Sequence, residues 1–263
     1  MSVVVDDPLI AAMDIRQTLP LHESSRRLRE LCPHSPRDHG VAVLADVSRR
    51  RWWPLESAIT TDRLEVMFEA AAAGMQKRAA AWQLAASLVH AVVGRVVALV
   101  ILEGRAWDTG LENLWVHVDP DGAIDWVAVV DPTLRVLPDD SCLRPDGASR
   151  QAAVVRLPSE LALTTWVAHR CHRTLVPLFS RLRAVSHDAI REATMWQIVG
   201  SAIVAVATRI PHLAGADELT GMRRSQAILD AMVGFGLPVR GPSRHAHTKA
   251  SLGLAELGQP CLR

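Results

Sequence analysis

Three observations predict a mainly helical α+β protein, a helical domain with a small antiparallel β-hairpin or sheet inserted at mid-chain. Apolar residues recur at helical spacing on both sides of the middle, as Leu64, Met67, Phe68, Ala71 and Met75, and again as Val167, Cys171, Leu175, Leu178 and Leu182. Between them, Leu114–Val118 and Ile124–Val130 are short β-rich runs. Asp119-Pro120-Asp121-Gly122 joins the two runs with residues that suit a tight turn.

Residues 1–56 form an irregular segment with a short helix near Glu23–Leu31 and a loop at Cys32-Pro33-His34-Ser35-Pro36. Arg49, Arg50 and Arg51 precede Trp52-Trp53-Pro54. Such a cluster can grip a ligand or nucleic acid; the commoner reading is a solvated charge run beside one aromatic anchor. The main body spans residues 57–240. Its first helix starts at Thr61 or Asp62, either of which can cap it. A second helical stretch runs from Ala79 to Glu103, and the small sheet lies within 111–137, with a third strand near Leu134–Val136. Residues 138–158 read as loop. Pro158-Ser159-Glu160 opens a long helix with a kink at Pro177, and two more helices cover Asp188–Ile210 and Glu218–Val233. Gly234, Gly236, Gly241 and Pro242 end the last of these, and 241–263 is a loop-rich tail.

The 263 residues are 49% hydrophobic and 22% charged, which excludes a disordered or fibrous chain. With 29 basic and 28 acidic residues there is no basic excess of the kind that phosphate-backbone binding needs, so no nucleic-acid partner is expected. There is no Tyr to serve as catalytic acid or ligand. Cys32, Cys142, Cys171 and Cys261 make no C-x-x-C pair, so a reduced, cytoplasmic protein is expected. MSVVVDDPLI lacks the basic n-region of a signal peptide. Leu84–Leu102 is long and apolar enough to span a bilayer, but His90 and Arg95 fall near its middle and no second stretch of similar length follows. A buried helix of a soluble protein with no membrane span is the expectation.

Common catalytic motifs are absent: no G-x-S-x-G, H-E-x-x-H, phosphate loop or dinucleotide fingerprint occurs. His169 and His172, three apart on a helix, can share a metal, but helical geometry puts His172 on the flank of the apolar stripe and His169 nearly opposite it. An exposed histidine pair is therefore expected. His90 is either a core histidine with one partner or a pocket base. Arg95 in the same apolar stretch needs an anionic partner, a carboxylate or a bound ligand. In the tail, His245, His247 and Cys261 are weak candidates for a metal.

Taken in order, these segments resemble the FhuF-like ferric-siderophore reductase family over about residues 60–263. Ala86-Ser87-Leu88-Val89-His90 with Arg95 is similar to that family's A-S-L-L-H…R helix. Leu114-Trp115, then Asp119-Pro120 and Gly122, resembles its L-W-W…P-x-G-G hairpin. Leu175-Val176-Pro177-Leu178 resembles an L-V-P-L-V helix. Met195-Trp196, Val199, Ser201 and Ala202 resemble L-W-G-N-V-A-S-A, with Ile198 in place of the Asn.

The resemblance implies a [2Fe–2S] centre held by four thiolates of a C-terminal R-R-x-C-C…C-G-D-C pattern. Here the paired cysteines fall on or near Arg244 and His245, the third near Gly258, and only Cys261 remains. A cluster needs four good ligands, and His245, His247 and Cys261 supply at most three. The expectation is therefore a cluster-free relative with no cofactor. It would bind a small polar, anionic or siderophore-like molecule, and would be a repurposed, non-redox enzyme of specialised metabolism. Its pocket would be walled by Trp82, Trp115 and Trp196, with His90 as acid/base or hydrogen-bond donor and Arg95 as anion clamp. The alternatives are a ferric-siderophore reductase with an atypical iron–sulfur or metal site, and a non-catalytic scaffold for another protein.

Overall fold

The computed structural model describes residues 7–143 and 153–240. It is mainly helical, with two small sheets. A short helix α1 (Pro8–Ala11) and a helix α2 (Pro20–Leu31) precede strands β1 (Ala42–Val43) and β2 (Trp52–Pro54). Next come α3 (Ser57–Thr60), α4 (Arg63–Gly74) and α5 (Lys77–Val89). A π-helical turn over His90–Gly94 leads without a break into α6 (Arg95–Glu103). Strands β3 (Leu114–Val118), β4 (Ile124–Val129), β5 (Leu134–Val136) and β6 (Val154–Arg156) follow. Three helices, α7 (Glu160–Val185), α8 (Glu192–Ala214) and α9 (Glu218–Gly234), complete the described chain.

Local chemistry sets the element ends. Ser159 caps α7 by accepting from the Ala162 amide at 3.1 Å, and Asp217 caps α9 through the amides of Leu219 and Thr220. Gly104 and Gly215 end α6 and α8 with φ of +67° and +60°, the left-handed conformation that glycine takes without a Cβ clash. At the start of α4, Asp62 occupies the cap position but makes no side-chain cap bond; Thr61 Oγ1 accepts from the Arg63 amide at 3.3 Å instead. Pro177 sits inside α7, which is assigned as one helix on both sides of it.

The expected stripe Val167, Cys171, Leu175, Leu178 and Leu182 is fully buried. Helix α7 as a whole packs most extensively on α9, and also on α3, α4, α5, α8 and the π turn. The α5–α6 helix runs through the centre of the core, and every residue of Val96–Ile101 is buried. Lys77–Glu103 is long and apolar enough to cross a membrane, yet 83% of its most apolar stretch is buried inside the fold. One sequence expectation is corrected here. Glu192–Ala214 passes the same length and composition test, with half of its stretch buried, so a second stretch of that kind does exist.

The sheets also depart from expectation. The Asp119–Gly122 hairpin forms, with Val116 opposite Val127 and a register shift between His117 and Val118. It is flanked by two strands from the first 56 residues, giving the order β1-β4-β3-β2. Because β1 runs parallel to β4, the sheet is mixed, not purely antiparallel. The third strand, β5, does not join it. It pairs in parallel with β6, inside the stretch that reads as loop, where Leu134 lies opposite Val154. These strands are two or three residues long and pair with partners remote in sequence, so they leave no alternating pattern to read.

Gly200 shows how closely the segment after α9 packs on α8. A Cβ at this position would stand 1.9 Å from the Val239 carbonyl oxygen, a backbone atom. By propensity alone, Gly200→Ala should stabilise a helix by roughly 1 kcal/mol. Overpacking against fixed backbone costs about 1–3 kcal/mol and should win. A lower denaturant midpoint is expected, and a raised one would show that residues 237–239 are free to move off α8.

Candidate functional site

Two places in the fold gather functional side chains. The first is a buried polar node where the segment after α2 crosses the π turn and β4. Arg95 is 2% exposed, and its guanidinium ends on main-chain oxygens. Nη1 donates to the carbonyls of Arg37 and, at 2.8 Å, Gly40; Nη2 donates to the Asp125 carbonyl at 3.0 Å; Nε has no partner. Burial pulls the Arg95 pKa down to about 10, opposed by the charges of Asp38 and Asp125, which leaves it protonated. His90 Nε2 donates to the Asp38 carbonyl at 2.7 Å. Its pKa falls to about 4, first through burial and then through the nearby Arg95, so the ring is neutral at pH 7.

His39 stands edge-on to His90, with ring centroids 5.9 Å apart. It is 3% exposed, and among the described residues neither ring nitrogen has a partner. Burial, aided by Arg209, lowers its pKa to about 4 as well. Around this node Trp126 Nε1 donates to Gly40 O at 3.2 Å, and Arg37 pairs with Asp125 and, at 2.7 Å, with Asp7. Asp125 also accepts from His117 Nδ1 at 2.6 Å. The node joins α2, the π turn and the sheet. Both terminal nitrogens that an anion clamp at Arg95 would use are engaged by the chain's own carbonyls, and among the described residues only Nε is left without a partner.

The second place is the outer face of α5. Ala80, Ala81, Leu84, Ala85 and Leu88 face the core, which turns Trp82 and Gln83 outward. Two open cavities flank this face, of about 850 and 880 Å³, and Gln83 lines both. The first lies between α4, α5 and the β3–β4 hairpin. Its apolar side is Trp53, Met67, Leu84 and Ile124; its polar rim includes Arg51, Arg63, Asp62 and Asp121. The Arg63 guanidinium stacks over Trp53 at 5.2 Å. Arg51 holds φ at +65°, a left-handed conformation unusual for a long side chain, and its carbonyl accepts from the Val118 amide at 3.1 Å. The Asp119 carboxylate on the same rim is committed to the turn, accepting from the Asp121 and Ala123 amides. The second cavity lies between α5 and the segment that opens α8, walled by Trp82, Arg78, Arg191 and Thr194.

The structure therefore brings His90 and Arg95 together, but not with the three tryptophans. Trp82 lies on the groove face of α5, 53% exposed. Trp115, on β3, is half-buried beneath the Arg49 guanidinium at 5.5 Å. Trp196 is buried against Phe179 and His172, with ring centroids 5.0 and 5.8 Å away. Of these five residues, only Trp82 lines a cavity described here. The arginine–tryptophan run 49–53 contains two buried anchors, Trp52 and Trp53, where one was expected.

His169 is exposed and His172 half-buried, as the helical geometry predicts, and both pack on Phe235. Among the described residues no three His, Cys, Asp or Glu side chains converge as a metal site. His245, His247 and Cys261 lie outside the described residues. Sequence reasoning missed Gln83, Arg78 and Arg191. The first two could have been found by phasing α5 on its alanine–leucine stripe; Arg191 is brought in only by the tertiary fold. In comparisons with known proteins, no family model, curated protein or solved structure matches this chain.

Proposed function

We infer that this chain binds a small organic molecule in the groove along the outer face of α5, and that it works without an iron–sulfur cluster. The observation that carries the reading is the pair of open cavities meeting at Gln83, each within the roughly 300–1,000 Å³ of small-molecule sites. Each combines an apolar wall with a few cationic or polar groups, the usual means of binding and orienting a ligand. The sequence supports the second half. The resemblance to FhuF-like proteins runs through the helical body, while three of the four positions expected to ligate iron hold other residues.

Any chemistry at this site is then non-redox, acting on a polar or anionic metabolite. His90 and Arg95 contribute from behind the groove. They fix residues 37–40 against the π turn at the end of α5, and so help hold the helix whose other face lines both cavities.

Native mass spectrometry of the purified full chain, with iron and acid-labile sulfide analysis, tests both halves. A co-purified or added small molecule that is retained by the wild type and lost in Gln83→Trp, which would fill the junction, is the expected result. Stoichiometric iron and sulfide, lost in Cys261→Ser, would overturn it in favour of a ferric-siderophore reductase.

A further inference from the structure

The eight tryptophans differ in how their ring faces are used. Trp53, Trp115 and Trp166 each carry an arginine of this chain over the ring, from Arg63, Arg49 and Arg135. Trp52, Trp126 and Trp196 pack against other rings, and Trp107 is buried. Trp82 alone is exposed, and among the described residues it has neither a ring contact nor a cation over its face.

The arginines beside it are equally unused. Arg78 and Arg191 line the same cavity from two elements, α5 and the segment before α8, and neither forms an ion pair or a side-chain hydrogen bond among the described residues. No carboxylate is among the described residues lining this cavity. The nearest acid in sequence, Glu192, is occupied by Trp196 Nε1 at 3.3 Å and Arg183 at 3.6 Å. The adjoining cavity differs, since its rim carries Asp62, Asp119 and Asp121 beside its arginines.

An open indole face wants a flat π-system, and two unpaired guanidinium groups want an anion that accepts in a planar fork. We propose that the Trp82 cavity is a binding site for an aromatic carboxylate, with the ring on Trp82 and the carboxylate between Arg78 and Arg191. The proposal rests on the groove reading above and names the ligand class at one end of it. Thr194 Oγ and the Gln83 amide are placed to bind polar substituents of the ring, and an apolar edge is supplied by Met75 and Ile190. The volume of about 880 Å³ suits a bicyclic or substituted acid better than benzoate.

The probe is 2-naphthoate, titrated into the full chain by isothermal calorimetry and by ligand-observed saturation-transfer NMR. Two controls each remove one half of the recognition: 2-naphthamide lacks the charge, and decahydro-2-naphthoate lacks the π-system. Each should bind on the order of tenfold more weakly, the ratio that the loss of one good interaction produces. Arg191→Gln, Arg78→Gln and Trp82→Leu should each lower 2-naphthoate affinity by a similar factor. Arg26→Gln, on the exposed side of α2 and away from both cavities, should leave it unchanged. These side chains are on the surface, and matching melting curves will confirm that the variants fold.

Equal affinity for acid and amide, or indifference to both arginine variants, overturns the aromatic-acid assignment while leaving the groove a small-molecule site. Failure of all three probes together with a diverse fragment panel to bind either cavity overturns the groove reading itself. Binding of 2-naphthoate that is lost in Arg63→Gln and kept in Arg191→Gln places the acid in the other cavity and refutes this site.

Discussion

Replacing Arg95 by methionine should unfold this protein at a temperature on the order of 10 °C lower than the wild type. Methionine keeps the unbranched stem of the side chain, stops short of the guanidinium and donates nothing. Gly40 O would keep the Trp126 indole, but the Arg37 and Asp125 carbonyls would each lose a charge-assisted donor. Hydrogen bonds to charged groups are worth about 1.5–3 kcal/mol each, and removing one partner leaves a buried oxygen unsatisfied. Part of that loss is returned because a buried cation no longer has to be desolvated. A net loss of about 3–5 kcal/mol follows. Arg95→Lys should retain the charge but not the fork, and fall between the two. A melting temperature that does not move in Arg95→Met would show that the node adds nothing to stability. The same variant separates two roles for this residue. If Arg95 acts only through the fold, ligand affinity measured well below the melting temperature is unchanged; if it clamps an anion directly, affinity collapses while the fold persists.

The second large effect is on acid stability. His39 and His90 are both neutral in the folded state because burial lowers each pKa from 6.5 to about 4. In the unfolded chain they take up protons near pH 6.5. Between about pH 6.5 and 4 the unfolded state therefore binds more protons than the folded one, and stability falls as pH falls. It is fully present above pH 6.5. Each histidine contributes up to about 3 kcal/mol across that window, less where the two repel each other's protonation.

His39→Leu isolates one of them. His39 makes no hydrogen bond that leucine would forfeit, so at pH 7 the variant should be as stable as the wild type, or more so. At pH 4.5 it should be clearly more stable, and its stability should fall less steeply with pH. Urea midpoints across pH 4.5–7.5 measure this directly. A His39→Leu protein that is strongly destabilised at pH 7 would mean that the imidazole nitrogens hold something in the folded state.

The helices were legible because each buries a stripe that repeats within its own sequence, as Val167 to Leu182 does on α7. The hairpin was legible because Asp119 and Gly122 do the turning locally: the Asp119 carboxylate caps two amides, and Gly122 takes φ of +84°. Strands β1, β2 and β6 were not, because a strand of two or three residues has no period and its partner comes from elsewhere in the chain. The site divides in the same way. Arg95 stood out as a charge inside an apolar run, and Trp82 as an aromatic next to it. What each would meet was hidden. The partners of Arg95 are carbonyls, which every residue has and no sequence advertises. That Arg191 lines the same cavity as Arg78 depends on how α8 packs against α5.

The π turn has one more consequence, for the angular phase of the central helix. Its signature is the Arg95 amide reaching back to His90 O, five residues away instead of four. In an unbroken α-helix, positions five apart point about 140° away from each other, so His90 and Arg95 would serve different sides. The one extra residue in the turn brings both to the side where residues 37–40 lie. It also shifts everything before it, by about 100°, relative to everything after it. Two settings are thus geared together along one rod, with α6 set for enclosure and α5 for presenting Trp82 and Gln83 outward. Deleting Val92 or Val93 would restore the uniform phase, and one of those two settings would have to be given up.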